Sequence, residues 1–239
     1  MIPKVIHYCW FGHNPLPPLA ERCIASWKKF LPDYEIKEWN EDNFDVSQIP
    51  YTEQAYKNKK YAFVSDYARF KILYEHGGIY FDTDVEVIKP IDDILAKGAF
   101  MGLEQDVSEG FACAPGLGIA CAPKAKLMKS LIDLYQDLQF ENSDGSINTK
   151  TVVEHTSELM IRDGISIHPG ILEFQDFSIY PKEYFCPKPS EFGKINLTEN
   201  TRTIHHYAGS WISKKQRFAN LLIKIFGKKI VLALWRFIK

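Results

Sequence analysis

The chain has 239 residues, of which 46% are hydrophobic and 25% charged, and its net charge is −1. This composition predicts a globular protein with enough apolar residues for a core, and it excludes an intrinsically disordered chain. The five cysteines are scattered, and none belongs to a Cys-x-x-Cys pair. We therefore expect neither a disulfide framework nor a zinc site, and the pattern favours a reducing cytosol.

The first part of the chain alternates between predicted strands and helices. Residues 4–11 form a nearly continuous apolar run, which is typical of a strand buried on both faces. Residues 19–31 carry apolar side chains at helical spacing, and residues 34–39 alternate as a second strand does. Trp10 and Asn40 stand at the ends of these strands, where α/β folds bind ligands.

A helix with a polar pair follows at residue 61. Asp66 and Arg69 are three positions apart and therefore share one helix face. Gly77 and Gly78 end this helix, as glycines commonly do. Taken alone, an Asp–Arg pair at this spacing is more often a surface salt bridge than a site.

Two carboxylates stand after the short apolar strand at residues 79–81. Asp82 and Asp84 are separated by one residue, so an extended backbone would turn both to the same side. Like charges this close favour a cation between them, and oxygen ligands suit Mg²⁺ or Mn²⁺. The alternative is a solvated loop, since most Asp-x-Asp triplets have no such role.

The second half of the chain contains more short elements. The patterns predict a strand at 85–88, a helical turn at 92–96 and a strand at 99–103. They also predict a strand broken by a Pro-Gly turn at 111–122, and amphipathic helices at 123–138 and 149–162.

The central motif resembles a known family. Ser-Asp-x-x-Arg followed by Leu-x-x-x-Gly-Gly-Ile-Tyr-x-Asp-x-Asp is similar to the retaining glycosyltransferases with a DXD sugar-binding region. That family includes bacterial capsular-polysaccharide transferases and fungal mannosyltransferases, and the glucosylating domains of clostridial toxins look similar. The residues that carry the resemblance are Ser65, Asp66, Arg69, Leu73, Gly77, Gly78, Ile79, Tyr80, Asp82 and Asp84. It implies an α/β fold with a single GT-A-type, Rossmann-like domain that binds a nucleotide sugar.

The resemblance also implies roles for single residues. Asp82 and Asp84 would hold Mn²⁺ or Mg²⁺, and Asp66 and Arg69 would orient sugar hydroxyls. Trp10 would stack on the base of the donor. The remaining donor-site residues by resemblance are Ser65, Tyr80 and Asn40. For Asn40, a cap of the next short helix is an equal alternative.

Two later stretches also resemble motifs of the family. Residues 179–187 resemble a late structural strand, and residues 203–211 resemble a loop that closes over the diphosphate. Ser210 and Trp211 would bond phosphate oxygens there. Of the two adjacent histidines, we expect His206 to complete the metal shell.

The C-terminal tail is strongly basic. Residues 214–239 hold eight Lys or Arg and no acid, which leaves residues 1–213 at −9. The longest uncharged apolar run in the tail, 230–235, is far shorter than the about 20 residues that a membrane span needs. We therefore predict a transferase domain at 1–213 and a basic amphipathic tail at 214–239 that binds an anionic membrane surface. The alternative is a helix that packs on the acidic domain.

The sequence thus predicts a metal-dependent retaining glycosyltransferase. It would move a hexose from a nucleotide sugar, UDP-linked by preference, to a lipid-linked or growing oligosaccharide in surface or capsular polysaccharide synthesis. The expected location is the inner face of the cell membrane, with no nucleic-acid partner. One alternative is a phosphatase of the haloacid-dehalogenase type using Asp82 and Asp84, although Glu86 stands where that motif requires Thr or Val. Another is a non-catalytic membrane-bound protein with a degenerate transferase fold.

Overall fold

A computed structural model describes residues 1–188 and 193–209. The first compact unit is Met1–Tyr207. Of the second unit, Ala208–Lys239, only the first two residues are described. Ser210, Trp211 and the predicted basic tail therefore lie outside the described residues. Among the helices in the described ranges, none has the length and apolar character that crossing a bilayer requires.

The order of elements follows the predicted alternation. The strands are β1 Val5–Cys9, β2 Glu35–Trp39, β3 Gly78–Tyr80, β4 Val85–Val87, β5 Ala99–Gly102, β6 Ile119–Cys121, β7 Leu172–Phe174, β8 Phe177–Tyr180 and β9 Thr203–His205. The helices are α1 Pro18–Phe30, α2 Pro50–Lys57, α3 Tyr61–His76, α4 Asp92–Leu95, α5 Lys126–Gln136, α6 Val152–Arg162 and α7 Lys182–Phe185. A 3₁₀ turn at Pro115–Leu117 precedes β6.

Seven strands form one mixed sheet in the order β2-β1-β3-β6-β5-β8-β7. The β1 strand pairs in parallel with β2 and β3, and β5 pairs in parallel with β8. Only β6 and β7 run the other way within this sheet. The carboxyl ends of β1, β2, β3, β5 and β8 therefore share one edge, and β4 and β9 pair as a separate antiparallel ribbon.

A buried histidine joins the first strands. His7 in β1 accepts a hydrogen bond from the indole N–H of Trp39 at its Nδ1 (3.0 Å) and contacts the Gly77 carbonyl oxygen through Nε2 (3.0 Å). Because Nδ1 is an acceptor, the proton of the neutral ring is on Nε2. Burial lowers the pKa of His7 to about 4, which keeps the ring neutral at pH 7. The end of α3 is thereby held against β1 and β2.

The boundaries differ from the prediction at 111–122, at 179–187 and at 203–211. Of the strand predicted at 111–122 only Ile119–Cys121 is a strand, and Thr203–His205, predicted as part of a loop, is strand β9. The predicted strand at 179–187 ends at Tyr180, and Lys182–Phe185 is a short helix, so that prediction was wrong beyond Tyr180. Pro181 in an extended conformation separates the two elements. Elsewhere the prediction was close: the helix predicted at 149–162 begins at Val152 because Thr151 and Glu154 form a capping box.

Candidate functional site

Arg69 is the centre of a buried ion network on α3. Its guanidinium lies 2.8 Å from Asp66 Oδ1 and 3.2 Å from Asp82 Oδ1, and its side chain is only 4% exposed. Its Nε donates to the backbone carbonyl of Ser65 at 3.1 Å. One cation therefore joins the Ser-Asp-x-x-Arg helix to the first carboxylate of the Asp-x-Asp triplet, as the predicted grouping of these residues requires.

In this network the neighbouring charges oppose the effect of burial on the pKa of each group. Burial would lower the pKa of Arg69, but Asp82, Tyr80 and Asp66 raise it, so the guanidinium stays charged. Burial raises the pKa of Asp66 to about 7, while the Arg69 guanidinium acts in the opposite direction. The ion pair at 2.8 Å is the geometry of a charged Asp66, since a charge-assisted hydrogen bond of this length favours the carboxylate.

Two further groups hold Asp82 in place. The Tyr80 hydroxyl donates to Asp82 Oδ1 at 3.0 Å, and the Arg69 guanidinium lies 5.0 Å from the centre of the Tyr80 ring. Tyr80 is only 1% exposed, so it positions Asp82 and is not open to a ligand. On the other side, a Cβ on Gly116 would lie 2.0 Å from Asp82 Oδ2.

Gly116 is a residue that sequence reasoning missed. Its carbonyl accepts a hydrogen bond from the Asp82 amide at 3.1 Å, so the 3₁₀ turn and the triplet are in direct contact. The only signal was the run of small residues in FACAPGLGIACA. Small residues in a run are also typical of tightly packed strands, so the pattern did not single out this glycine.

Asp84 lies in a turn and faces a histidine. The Val85 amide donates to the Asp82 carbonyl at 3.1 Å, so the extended backbone predicted through Asp82 and Asp84 is not what the structure shows. His205 Nε2 is 3.4 Å from Asp84 Oδ1, whereas His206 Nε2 is 2.8 Å from Glu86 Oε2. The His205 side chain therefore faces the Asp84 carboxylate, whereas the predicted His206 meets Asp84 through its backbone amide, which donates to the Asp84 carbonyl at 3.0 Å.

The surroundings of His205 are strongly polar. Burial would lower the pKa of His205, but Asp84 and Cys186 raise it to about 10. Glu104 also acts on this group: burial raises the pKa of Glu104 and the His205 charge lowers it. Glu104 was not predicted from the sequence, because it follows a short strand without any motif around it.

The residues around Asp84 fit a divalent ion that is bound partly by the protein and partly by the substrate. The described residues contain no group of three or more His, Cys, Asp or Glu that could hold a metal ion. Mg²⁺, however, is usually bound through one or two carboxylates together with substrate phosphates and waters. The half-buried carboxylate of Asp84 offers oxygen ligands of the kind that Mg²⁺ and Mn²⁺ prefer.

The remaining predicted donor-site residues are placed as follows. The Trp10 indole N–H donates to the Asn14 carbonyl at 2.6 Å, in the loop after β1. Asn40 follows β2, and its side chain accepts from the Asp42 amide and donates to Glu38 in a turn; the next helix, α2, begins after Ile49, so Asn40 does not cap it. The Ser65 hydroxyl donates to the Tyr61 carbonyl within α3.

Comparison with known proteins gives a family for the part of the chain that contains the Arg69 network and Asp84. Residues 17–101 match the family described as glycosyltransferase sugar-binding region containing DXD motif. Residues 17–101 are such a region. It holds Asp66, Arg69, Asp82 and Asp84, so the resemblance stated from the sequence is confirmed.

The DXD region has curated relatives. An uncharacterized glycosyltransferase of Acanthamoeba polyphaga mimivirus is 34% identical over 109 residues, which cover 42% of each chain. Inositol phosphoceramide mannosyltransferase 3 of Schizosaccharomyces pombe is 33% identical over 107 residues, covering 42% of this chain and 29% of the mannosyltransferase. The matches thus span less than half of either relative.

A solved structure shows the fold. The PaToxG glycosyltransferase superposes with a TM-score of 0.50 at 21% identity, over 68% of this chain and 70% of the other. The α/β glycosyltransferase fold predicted from the DXD region is therefore confirmed. The likeness says nothing about the donor or the acceptor.

Proposed function

We propose that this protein is a metal-dependent retaining glycosyltransferase that transfers a hexose from a nucleotide sugar, UDP-linked by preference. The observation that carries the proposal is the Arg69 network, which joins Asp66 and Asp82 in a family region whose description is sugar binding. A buried cation paired with the buried Asp66 and the partly exposed Asp82 keeps all three groups in one geometry. Such preorganisation is what orienting a substrate requires.

Each part of the site has a proposed task in the transfer. The leaving diphosphate gains negative charge, and a bound Mn²⁺ or Mg²⁺ would supply Lewis-acid stabilisation of that charge. Asp84 would hold the ion, with His205 or the predicted His206 beside it. Asp66 and Arg69, whose side chains are 11% and 4% exposed, would act on the sugar by holding Asp82 in position, and Trp10 would stack on the base.

Asp82 is proposed to position the donor from its place beside Arg69. Its contacts with Arg69 and Tyr80 restrain the carboxylate, so it can accept a hydroxyl without reorganising. A haloacid-dehalogenase phosphatase would instead need this aspartate as an attacking nucleophile. A carboxylate paired with a buried guanidinium is a weakened nucleophile, so the site favours the transferase.

The acceptor and the location rest on the sequence. A lipid-linked or growing oligosaccharide in surface or capsular polysaccharide synthesis is the proposed acceptor. The basic tail at 214–239 would hold the enzyme on the anionic inner face of the membrane, where such an acceptor resides. Co-sedimentation with phosphatidylserine vesicles tests this, and binding that is unchanged after deletion of 214–239 would refute the proposed role of the tail.

The donor site is tested by thermal stabilisation. A ligand that binds only the folded protein raises the melting point in proportion to its affinity. The protein is melted with UDP-, GDP- and CMP-sugars, each with and without Mn²⁺. We expect one nucleotide to give a shift that depends on Mn²⁺ and is lost in Asp84→Asn.

A matched variant controls for the loss of a negative charge. Asp137→Asn removes an exposed aspartate at the end of α5 and should keep the full shift. A shift that Asp84→Asn retains would contradict the metal role. The absence of a shift with every nucleotide in the unmodified protein would contradict the donor site.

A further inference from the structure

A pocket of ≈ 260 Å³ lies where β5 and β8 end. Leu103 is the first residue after β5 and Pro181 the first after β8, and both line this β5–β8 pocket. Since β5 and β8 run in the same direction as β1 and β3, the pocket opens at the edge of the sheet that also holds the DXD residues. Crevices outside the carboxyl ends of strands are where α/β folds bind ligands.

The loop that lines the pocket leads along the chain towards the DXD site. Residues 104–112 leave and return to the sheet at a bridge between Leu103 and Cys113. Three residues later the chain reaches Gly116, which touches Asp82. Three residues span at most about 11 Å. The bridge beside the pocket is therefore within about 11 Å of the residue that touches Asp82, measured along the chain.

A second connection runs through side chains. Glu104 begins the pocket loop, and its carboxyl group interacts electrostatically with His205. His205 is the residue 3.4 Å from Asp84.

The charge of the pocket argues against an anionic ligand. Lys182 is its one lysine, and its Nζ lies 2.6 Å from Asp106 and 3.6 Å from Glu109. With Glu104 nearby, acids outnumber this base. A phosphate would have to displace carboxylates from the lysine and would meet the others at close range.

The rest of the lining is divided between apolar and hydrogen-bonding groups. Leu103, Val107 and Pro181 supply apolar surface, while Gln105 and Ser108 supply neutral donors and acceptors. A sugar ring has the matching parts, since its C–H face is apolar and its hydroxyl groups both donate and accept. Pockets for drug-sized ligands are about 300–1,000 Å³, so a pocket of ≈ 260 Å³ suits one sugar ring.

We propose that the β5–β8 pocket binds one neutral hexose ring of the saccharide acceptor. This inference rests on the proposed function, and it adds the place and the charge class of the second substrate. The terminal ring of a free saccharide and that of a lipid-linked one have the same chemistry. The pocket would bind that ring in either case.

The test fills the pocket and measures binding directly. Ser108→Trp places an indole in the lining, and Ser143→Trp makes the same change in an exposed turn away from the pocket. Saturation-transfer NMR is recorded with methyl glycosides of glucose, galactose and mannose, and with glucose 1-phosphate as the anionic probe. All samples contain UDP and Mn²⁺. We expect binding of at least one methyl glycoside to weaken about tenfold in Ser108→Trp and to be retained in Ser143→Trp.

A second variant in the pocket and a second set of glycosides complete the test. Gln105→Ala keeps the shape of the loop but removes an amide, and it should also weaken the glycoside signal. Octyl glycosides below their micelle concentration distinguish the two sources: equal binding of methyl and octyl forms indicates a free saccharide, and tighter binding of the octyl form a lipid-linked one. A glycoside signal that Ser108→Trp does not change, or binding of glucose 1-phosphate alone, would overturn the inference.

The donor titration separates this result from the proposed function. If the nucleotide-dependent melting shift is present while Ser108→Trp leaves glycoside binding intact, the pocket inference fails and the proposed function stands. If no nucleotide shifts the melting point but the glycoside signal is lost in Ser108→Trp, the pocket is a saccharide site and the proposed function fails.

Discussion

The two carboxylates of the Asp-x-Asp triplet lie in different surroundings. Asp82 belongs to a packed region, where Arg69, Tyr80 and Gly116 restrain it from three sides. Asp84 lies in the turn directly before the β4–β9 ribbon, where a histidine from β9 faces it. Residues two positions apart thus have separate supports. The difference teaches that the first carboxylate is restrained by three groups although its side chain is 29% exposed, whereas the second, only 14% exposed, is faced by one histidine from the second strand of the ribbon.

The largest expected effect comes from removing the cation of the Asp82 region. Arg69→Met leaves the buried Asp66 carboxylate and the partly exposed Asp82 carboxylate without their partner, so the free energy of unfolding should fall by about 3–5 kcal/mol. Arg162→Met removes an exposed arginine paired with Asp163 and should cost no more than about 1 kcal/mol. Urea denaturation of both variants measures the difference. Equal stabilities would show that the Asp82 region is not built around Arg69.

Acid should lower the free energy of unfolding through His7, which joins β1, β2 and the end of α3. The pKa of His7 is lowered from 6.5 to about 4, so the unfolded chain binds more protons than the folded one between these values. Stability from the neutral ring is present above pH 6.5 and is lost as the pH falls towards 4, by about 3 kcal/mol in total. Urea unfolding from pH 4 to 7 measures this dependence.

A histidine variant isolates that contribution. His7→Gln should flatten the dependence of stability on pH, whereas replacement of the exposed His13 by Gln should leave it as in the parent. The same slope in His7→Gln and the parent protein would contradict the assignment to His7.

Crowding at Gly116 should displace Asp82 without removing a charge. Gly116→Ala places a Cβ 2.0 Å from Asp82 Oδ2, so the free energy of unfolding should fall by about 1–3 kcal/mol. The melting shift with nucleotide and Mn²⁺ should be lost as well. Gly98→Ala is the control, because Gly98 has a positive φ but no atom within 4 Å of the added Cβ. Loss of the ligand shift in both variants would contradict the assignment of the effect to crowding at Asp82.

The smallest effect is expected in the Asp84 region. His206→Gln should change the free energy of unfolding by less than about 1 kcal/mol, because its partner Glu86 is 42% exposed. It should keep the shift with nucleotide and Mn²⁺, whereas His205→Gln should lose it. The reverse result would restore His206, the residue predicted from the sequence, as the one that completes the metal shell.

Local patterns predicted much of the fold. The helix α3, its glycine end and the strand before Asp82 follow from helical spacing, from two glycines and from an apolar run, which act over a few residues. The grouping of Asp66, Arg69 and Asp82 was predicted through a motif whose residues lie within one stretch of chain. The extent of β8 was not predicted, because the aromatic residues after Pro181 suit a strand and a helix equally well.

The sequence by itself determined that the chain is an α/β protein with a DXD sugar-binding region and which side chains that region supplies. Only the tertiary structure decided that Gly116 abuts Asp82, that the His205 side chain and not that of His206 faces the Asp84 carboxylate, and that Glu104, at the start of the loop that lines the pocket, interacts with His205. These contacts connect residues 34 to 121 positions apart in the chain. Spacing along the chain carries no information about them, because they arise from the order of strands in the sheet and from the register of β4 with β9.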